Sequence, residues 1–270
     1  MDGNNISDDV KNQTQIEKGR CFMRNIMSRI CIVYFLASLI VFGADAQINP
    51  VYQKMLQNGW KYPFENGFRK LTPPEIDTEF LASMGYNDTT VANLKKLGVD
   101  LIERWKKSTV WDEKNRTALS DCIIIGTVSR IEHPFGEKFW FHTLAYIQVE
   151  EFLRNDYHLQ KEQIPVLIAS GPTGAGETMM QMGEDTLSVG EHVLLFLSAS
   201  SLITFAANNN MRDLYDYLIN DSVVKFKIGA KYDIRDGKIS NKARERNLPE
   251  VRDEIRTVVT ALHRIPTTDK

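Results

Sequence analysis

The chain is predicted to be α+β: a small antiparallel β-barrel with a helical segment before it and an amphipathic helix behind it. Three observations predict this. Between Asp121 and Ser240, runs of β-branched and aromatic residues are separated by glycine, proline and polar clusters, which is the pattern of short strands. Helical periodicity appears before Trp111 and again after Leu248. No helical stretch separates the first four strand-like runs, whereas a parallel sheet needs a crossover after nearly every strand. The 270 residues, 43% hydrophobic and 25% charged, suffice for one medium core. The expected boundaries are 1–46 for a polar preface and export signal, 47–115 for a helical region, and 116–270 for the barrel and its last helix.

At the N-terminus, Met23 to Arg29 carry two arginines and precede the apolar run Ile30 to Phe42. That run is shorter than the roughly 20 residues of a membrane span and within the roughly 7–15 of a signal-peptide core. It ends in Ala44-Asp45-Ala46, which fits small-residue cleavage before Gln47. Export, to a periplasmic, secreted or envelope location, is therefore expected. An uncleaved anchor through Ile30 to Phe42 is the alternative, and translation beginning at Met23 would remove the polar preface. Of three cysteines only Cys122 follows the signal. No intrachain disulfide is available to the exported chain, and Cys122, among strand-forming residues, reads as a buried thiol.

After an aromatic lead-in (Trp60, Tyr62, Phe64, Phe68), Thr72-Pro-Pro-Glu75 opens a helix with a cap and an acidic first turn. A second helix is expected across Val91, Leu94, Leu97, Leu101, Ile102 and Trp105, with Gly98 weakening its middle. Strands follow at "CIIIGTVSRIEH", "KFWFHTLAYIQVEEF", "QIPVLIAS" and "HVLLFLSAS". "NNMRDLYDYLIN" reads as a short helix. "SVVKFKIG" and "KYDIRDGKIS" add one or two strands, with Asp236-Gly237 as a tight turn. Leu248, Val251, Ile255, Val258, Val259 and Leu262 form the apolar stripe of the closing helix.

One stretch imitates a phosphate-binding loop: Gly171-Pro-Thr-Gly-Ala-Gly176 followed by Glu177-Thr178. Glu177 stands where that loop needs lysine, so a carboxylate would face the phosphates and repel them by several kcal/mol at about 4 Å. The residues behind it turn toward a new strand rather than a helix. A glycine-rich surface connection between antiparallel strands is expected, and no nucleotide or other cofactor. A formal net charge of −2 gives no general attraction for nucleic acid. His133, His142, His158, His192 and His263 never fall at the spacing of a metal-ligand pair, so no metal is expected.

Alternation in "KFWFHTLAYIQVE" places Phe139, Phe141, Ala145, Ile147 and Val149 on one face and Trp140, His142, Leu144 and Tyr146 on the other. Both faces are apolar. The second is expected either to lie beneath the N- or C-terminal helices or to form an aromatic groove in which Trp140, His142 and Tyr146 bind a ligand.

The succession "SDCIIIGTVSRIE", "LAYIQVEEFLR", "IPVLIASG", "LSVGEHVLLFLS" and "KIGAKYDIRDGKI", closed by an amphipathic helix, resembles a set of uncharacterised secreted bacterial proteins over Asp121 to Leu262. Their barrel is similar to the oligonucleotide/oligosaccharide-binding (OB) fold, in the variety found in tissue inhibitors of metalloproteases. The resemblance implies a fold and an exported location. It does not imply protease inhibition, because that activity uses a mature N-terminal cysteine and this mature chain would begin at Gln47. The expected function is a non-enzymatic exported barrel that binds a protein or an envelope component. The alternative is an exported hydrolase built from the acidic loop Glu177 to Glu191, with Glu184, and His142 or His192.

Overall fold

The computed structural model describes residues 49–61, 81–82, 84–101, 112–134, 141, 143–160, 163–172, 178–179, 185–241 and 244–263. The expected signal segment, the helix opening at Thr72, Trp140, His142, Glu177 and Glu184 lie outside these residues. Among the described residues the fold is α+β, with six helices around a seven-stranded sheet, five strands of which form a ring. None of these helices is long and apolar enough to cross a membrane.

Helix α1 (Pro50–Gln57) starts at Asn49, whose carboxamide oxygen accepts from the Val51 amide at 2.9 Å. The same side chain donates to the Leu218 and Asp221 carbonyls, at 3.1 and 2.9 Å. One residue thus caps a helix and ties it to a segment far along the chain.

Helix α2 (Asp88–Lys96) is capped by Asn87, which accepts from the Thr90 amide. It stops at Leu97 instead of continuing through Gly98. Gly98 adopts φ of +82°, and the Val99 amide donates back to Leu94 while the Gly98 amide donates to Lys95. This glycine-terminated cap, completed by contact between buried Leu94 and Val99, ends the helix where the sequence suggested only a weak middle. Leu97 is accordingly exposed rather than part of a stripe. Helix α3 (Glu113–Leu119), capped by Asp112, leads into the sheet.

Strand β1 (Cys122–Glu132) pairs antiparallel with β2 (Thr143–Asn155), which pairs with β3 (Gln163–Ile168). Two short strands, β4 (Gly171–Pro172) and β5 (Thr178–Met179), pair with each other. Thr178, where a phosphate-binding loop would begin its helix, is therefore in a strand. Strand β6 (His192–Ser198) returns beside β1, and β7 (Phe226–Arg235) lies beside β6. The ring closes through β3 and β7, whose pairs Val166–Phe226 and Leu167–Lys227 run parallel. The wholly antiparallel barrel expected from sequence is thus corrected at one seam. A parallel pair requires a long crossover, and β6 with two helices supplies it. It also means that the glycine-rich connection joins two strands that are not neighbours.

The first of those helices, α4 (Ala199–Asn208), begins where the sequence reading ended a strand in serines. Ser198 caps it by accepting from the Ser201 amide at 3.1 Å. Helix α5 (Arg212–Ile219) matches the expected short helix. After β7, Asp236 and Gly237, with φ of +49° and +73°, turn the chain into β8 (Lys238–Asn241). Strand β9 (Arg244–Asn247), not foreseen, extends the sheet and presents charged side chains along its outer edge, a common protection against unwanted strand pairing.

Helix α6 (Leu248–His263) buries Leu248, Val251 and Ile255 against Ile123, Ile125, Leu194, Phe196 and Tyr232 on the outer side of β1, β6 and β7. The ring's inner side holds Ile124, Val128, Ala145, Ile147, Val149, Val166, Val193, Leu195 and Phe226, over which α4 and α5 pack Leu202, Leu214, Tyr215 and Leu218. Gly126 marks a register shift against β2, and a Cβ there would overlap the Gln148 carbonyl oxygen and lie 3.0 Å from Ile147 Cγ2. The glycine is needed for this close strand approach.

Candidate functional site

Directly opposed residues of paired strands share a face of the sheet. By that rule His192, Thr127, Gln148 and Gln163 form one row across β6, β1, β2 and β3. Arg130, Tyr146 and Pro165 form the next row. The two rows lie on the outer side of the ring, where Gln148, Glu150 and Gln163 are exposed. Helix α6 stops short of them. Its Arg252 and Arg256 reach Glu151 at 2.8 and 3.1 Å.

The second face of β2 is covered in steps. Leu144 is buried, Tyr146 is half-buried, and Gln148 and Glu150 are open to solvent. What lies over Tyr146 is a cation: the Arg130 guanidinium stands 3.9 Å from its ring centre and pairs with Glu132 at 3.2 Å. The Tyr146 hydroxyl donates to Glu132 at 3.3 Å. Burial, then the Glu132 carboxylate, raises the phenol above its ordinary 10. The same kind of contact recurs at α5 and α4, where Lys225 stands 4.5 Å from the Tyr217 ring centre and Lys227 5.2 Å from that of Phe205. Burial and Asp221 push Tyr217 up to about 12.

Tyr146, read as a binding residue from alternation, is half-buried beneath Arg130 and beside Glu132, in the row next to Gln148 and Gln163. Sequence reading missed Arg130 because strict alternation puts it on the inner face. A register shift between Val128 and Arg130 reverses that, with Ser129 donating to the Tyr146 carbonyl at 2.9 Å. Glu150 was legible, since the alternation that groups Leu144 with Tyr146 includes it.

His192 meets Glu150 at 3.1 Å, and Thr127 donates to the other oxygen of the same carboxylate at 2.9 Å. The acid stands between the histidine and the hydroxyl. A nucleophile–histidine–acid relay needs the histidine in the middle, so these three groups do not build one. Glu191, the last residue of the acidic loop, pairs with Lys231 at 2.7 Å. Among the described residues, no group of three histidine, cysteine or carboxylate side chains is placed to hold a metal.

The densest polar cluster is buried. Asp121 accepts from the Ala199 and Ser200 amides at 3.0 Å each, from the Ser200 hydroxyl at 2.7 Å and from the Tyr157 hydroxyl at 2.9 Å. The carboxylate faces the first turn of α4, where free amides and the helix dipole favour negative charge. Beside it, buried Arg154 binds Asp156 through two nitrogens, at 2.9 and 2.7 Å, and the Thr117 carbonyl at 2.7 Å. Burial opposes the Arg154 charge, but Tyr86 and Asp156 outweigh it and raise its pKa. Cys122 is fully buried, and burial, with Asp121 next, pushes its thiol well above 9.0. A raised thiol is a poor nucleophile, and donors surround Asp121. The cluster is built to hold α3, β1, β2 and α4 together.

No protein-family model, no curated protein and no solved structure matches this chain.

Proposed function

We propose that this chain is an exported, non-enzymatic barrel protein that binds a protein or a cell-envelope component through the outer face of β1 and β2 around Tyr146. The observation that carries the reading is the contrast between two polar groupings. The buried one is saturated by internal partners. The outer one presents Tyr146, Arg130, Gln148, Glu150 and Gln163 on a sheet face that α6 leaves open. The sequence alternation that groups Trp140 and His142 with Tyr146 extends the proposal to those two residues.

An OB-like barrel, of the variety seen in tissue inhibitors of metalloproteases, is part of the proposal. It is supported by the ring order β1-β2-β3-β7-β6 and by the parallel closure between β3 and β7. Export is supported by the arginine-flanked apolar run Ile30 to Phe42, with cleavage after Ala46.

An exported hydrolase, with a site built from the acidic loop 177–191 and His142 or His192, is the second reading; of that set, His192 stands at the outer face, 3.1 Å from the Glu150 carboxylate. The two separate by substitution. In a binder, His192→Ala and Glu184→Ala leave a folded, ligand-competent protein, while Trp140→Ala and Tyr146→Ala impair capture of the partner. In a hydrolase, His192→Ala or Glu184→Ala abolishes turnover. Mass analysis of chain recovered from its host's envelope and medium tests export, with Gln47 expected as the first residue.

A further inference from the structure

Among the described residues, the segment Asp185–Glu191 lies against one end of the ring, where it contacts β7 and β1. On β7, Lys231 lies opposite Leu195 and Asp233 opposite Val193. Both partners belong to the inner core, so Lys231 and Asp233 point to the ring's inner side. From there the Lys231 ammonium donates to the Thr186 carbonyl at 2.9 Å and to the Glu191 carboxylate at 2.7 Å, with Asp233 at 3.2 Å. Between these contacts, Leu187 enters the inner core. The Gly190 amide donates to the Val128 carbonyl at 2.8 Å, and the Val128 amide to the Glu191 carbonyl at 2.9 Å.

We propose that residues 185–191 are a strap across this end of the ring, with Lys231 as its latch, and that the strap opens without unfolding the ring. Among the described residues, the segment is attached through one buried apolar side chain, two backbone bonds to Val128 and the Lys231 ammonium. Ser188 and Val189 face solvent, Val189 being 63% exposed. Segments held by so few buried contacts open at lower cost than the core they lie on. Removing a charged partner from one of so few attachments shifts that local equilibrium more than the global one. The strap also runs directly into His192, so its position sets the start of β6 and the His192–Glu150 contact. Any effect on ligand capture rests on the proposed binding face, whereas the latch itself does not.

The test is amide hydrogen exchange on the full chain without ligand, comparing wild type with Lys231→Met. The amides of Val128 and Gly190 are expected to exchange roughly ten-fold faster or more. Those of the β1–β6 ladder between Ile123 and Gly126 are expected to keep their wild-type rates. Unchanged rates at Val128 and Gly190 overturn the latch. Equal acceleration of the ladder overturns the strap as a separately opening unit. Should Lys231→Met fail to fold, Glu191→Gln weakens the same contact and is read by the same two outcomes.

Discussion

Replacing Asp121 with alanine removes the acceptor shared by the Ala199 amide, the Ser200 amide and hydroxyl, and the Tyr157 hydroxyl. Ser198 and Ser200 are buried and Asp121 is 2% exposed, so water does not readily replace the carboxylate. A buried donor left without a partner costs about 1–3 kcal/mol. The hydroxyls can rotate toward other acceptors, but the two backbone amides at the start of α4 cannot. Counting the amides fully and the hydroxyls in part gives a loss of about 3–5 kcal/mol, a large share of the roughly 5–15 kcal/mol of a typical domain. At about 2–4 °C per kcal/mol for a chain of this size, melting should fall by roughly 6–20 °C. Urea unfolding followed by tryptophan fluorescence and by circular dichroism measures the loss. Asp121→Asn, which keeps one acceptor oxygen, is expected to fall between alanine and wild type. An alanine variant within about 0.5 kcal/mol of wild type, the range of ordinary surface substitutions, would refute the structural role assigned to this cluster.

Three further outcomes are expected. Gly126→Ala places a methyl group against the Gln148 carbonyl and should cost about 1–3 kcal/mol by forcing β1 and β2 apart, measurable as a lower urea midpoint. Arg246 binds buried Glu113 at 2.8 Å and Glu254 through two nitrogens at 2.9 Å each. Arg246→Ala takes the guanidinium away from buried Glu113, which among the described residues keeps the Tyr232 hydroxyl, and should cost about 3 kcal/mol, because a buried charge loses its counter-ion. Burial raises the Asp221 carboxyl, but Lys225 and the Val223 amide outweigh it and hold it below its ordinary 3.8. A depressed folded value means that this stabilisation is present above about pH 4 and is lost as pH falls through the folded value. Asp221→Asn should therefore flatten the acid limb of a stability–pH profile and leave the slope above pH 5 unchanged.

What the sequence made legible was local. The stripe from Leu248 to Val258 repeats at helical spacing and buries as one face. Asp236-Gly237 supplies two left-handed residues at a tight turn, and the β1 run carries three consecutive isoleucines, Ile123 to Ile125. What was hidden depends on partners far along the chain. Helix α4 opens with serines that read as a strand's end, and Asp121, 78 residues before Ala199, completes its cap. The parallel closure of β3 on β7 has no periodicity to announce it. For the candidate surface, alternation placed Tyr146, but the register shift at Ser129 decided that Arg130 lies over it. A shift of one residue exchanges the two faces of a strand, and nothing in the residues around Ser129 marks where it happens.

The most direct test of the proposed binding face is affinity capture from the host's envelope extract, using the chain from Gln47 onward. Wild type is compared with Tyr146→Ala and Arg130→Ala, and with Lys238→Ala on the β8 hairpin as control, all checked for equal melting. A discrete partner held by wild type and by the Lys238 variant, and bound at least about ten-fold more weakly by the Tyr146 and Arg130 variants, is the expected result; a ten-fold loss corresponds to about 1.4 kcal/mol. Retention of that partner at full affinity by folded Tyr146→Ala and Arg130→Ala would contradict the account.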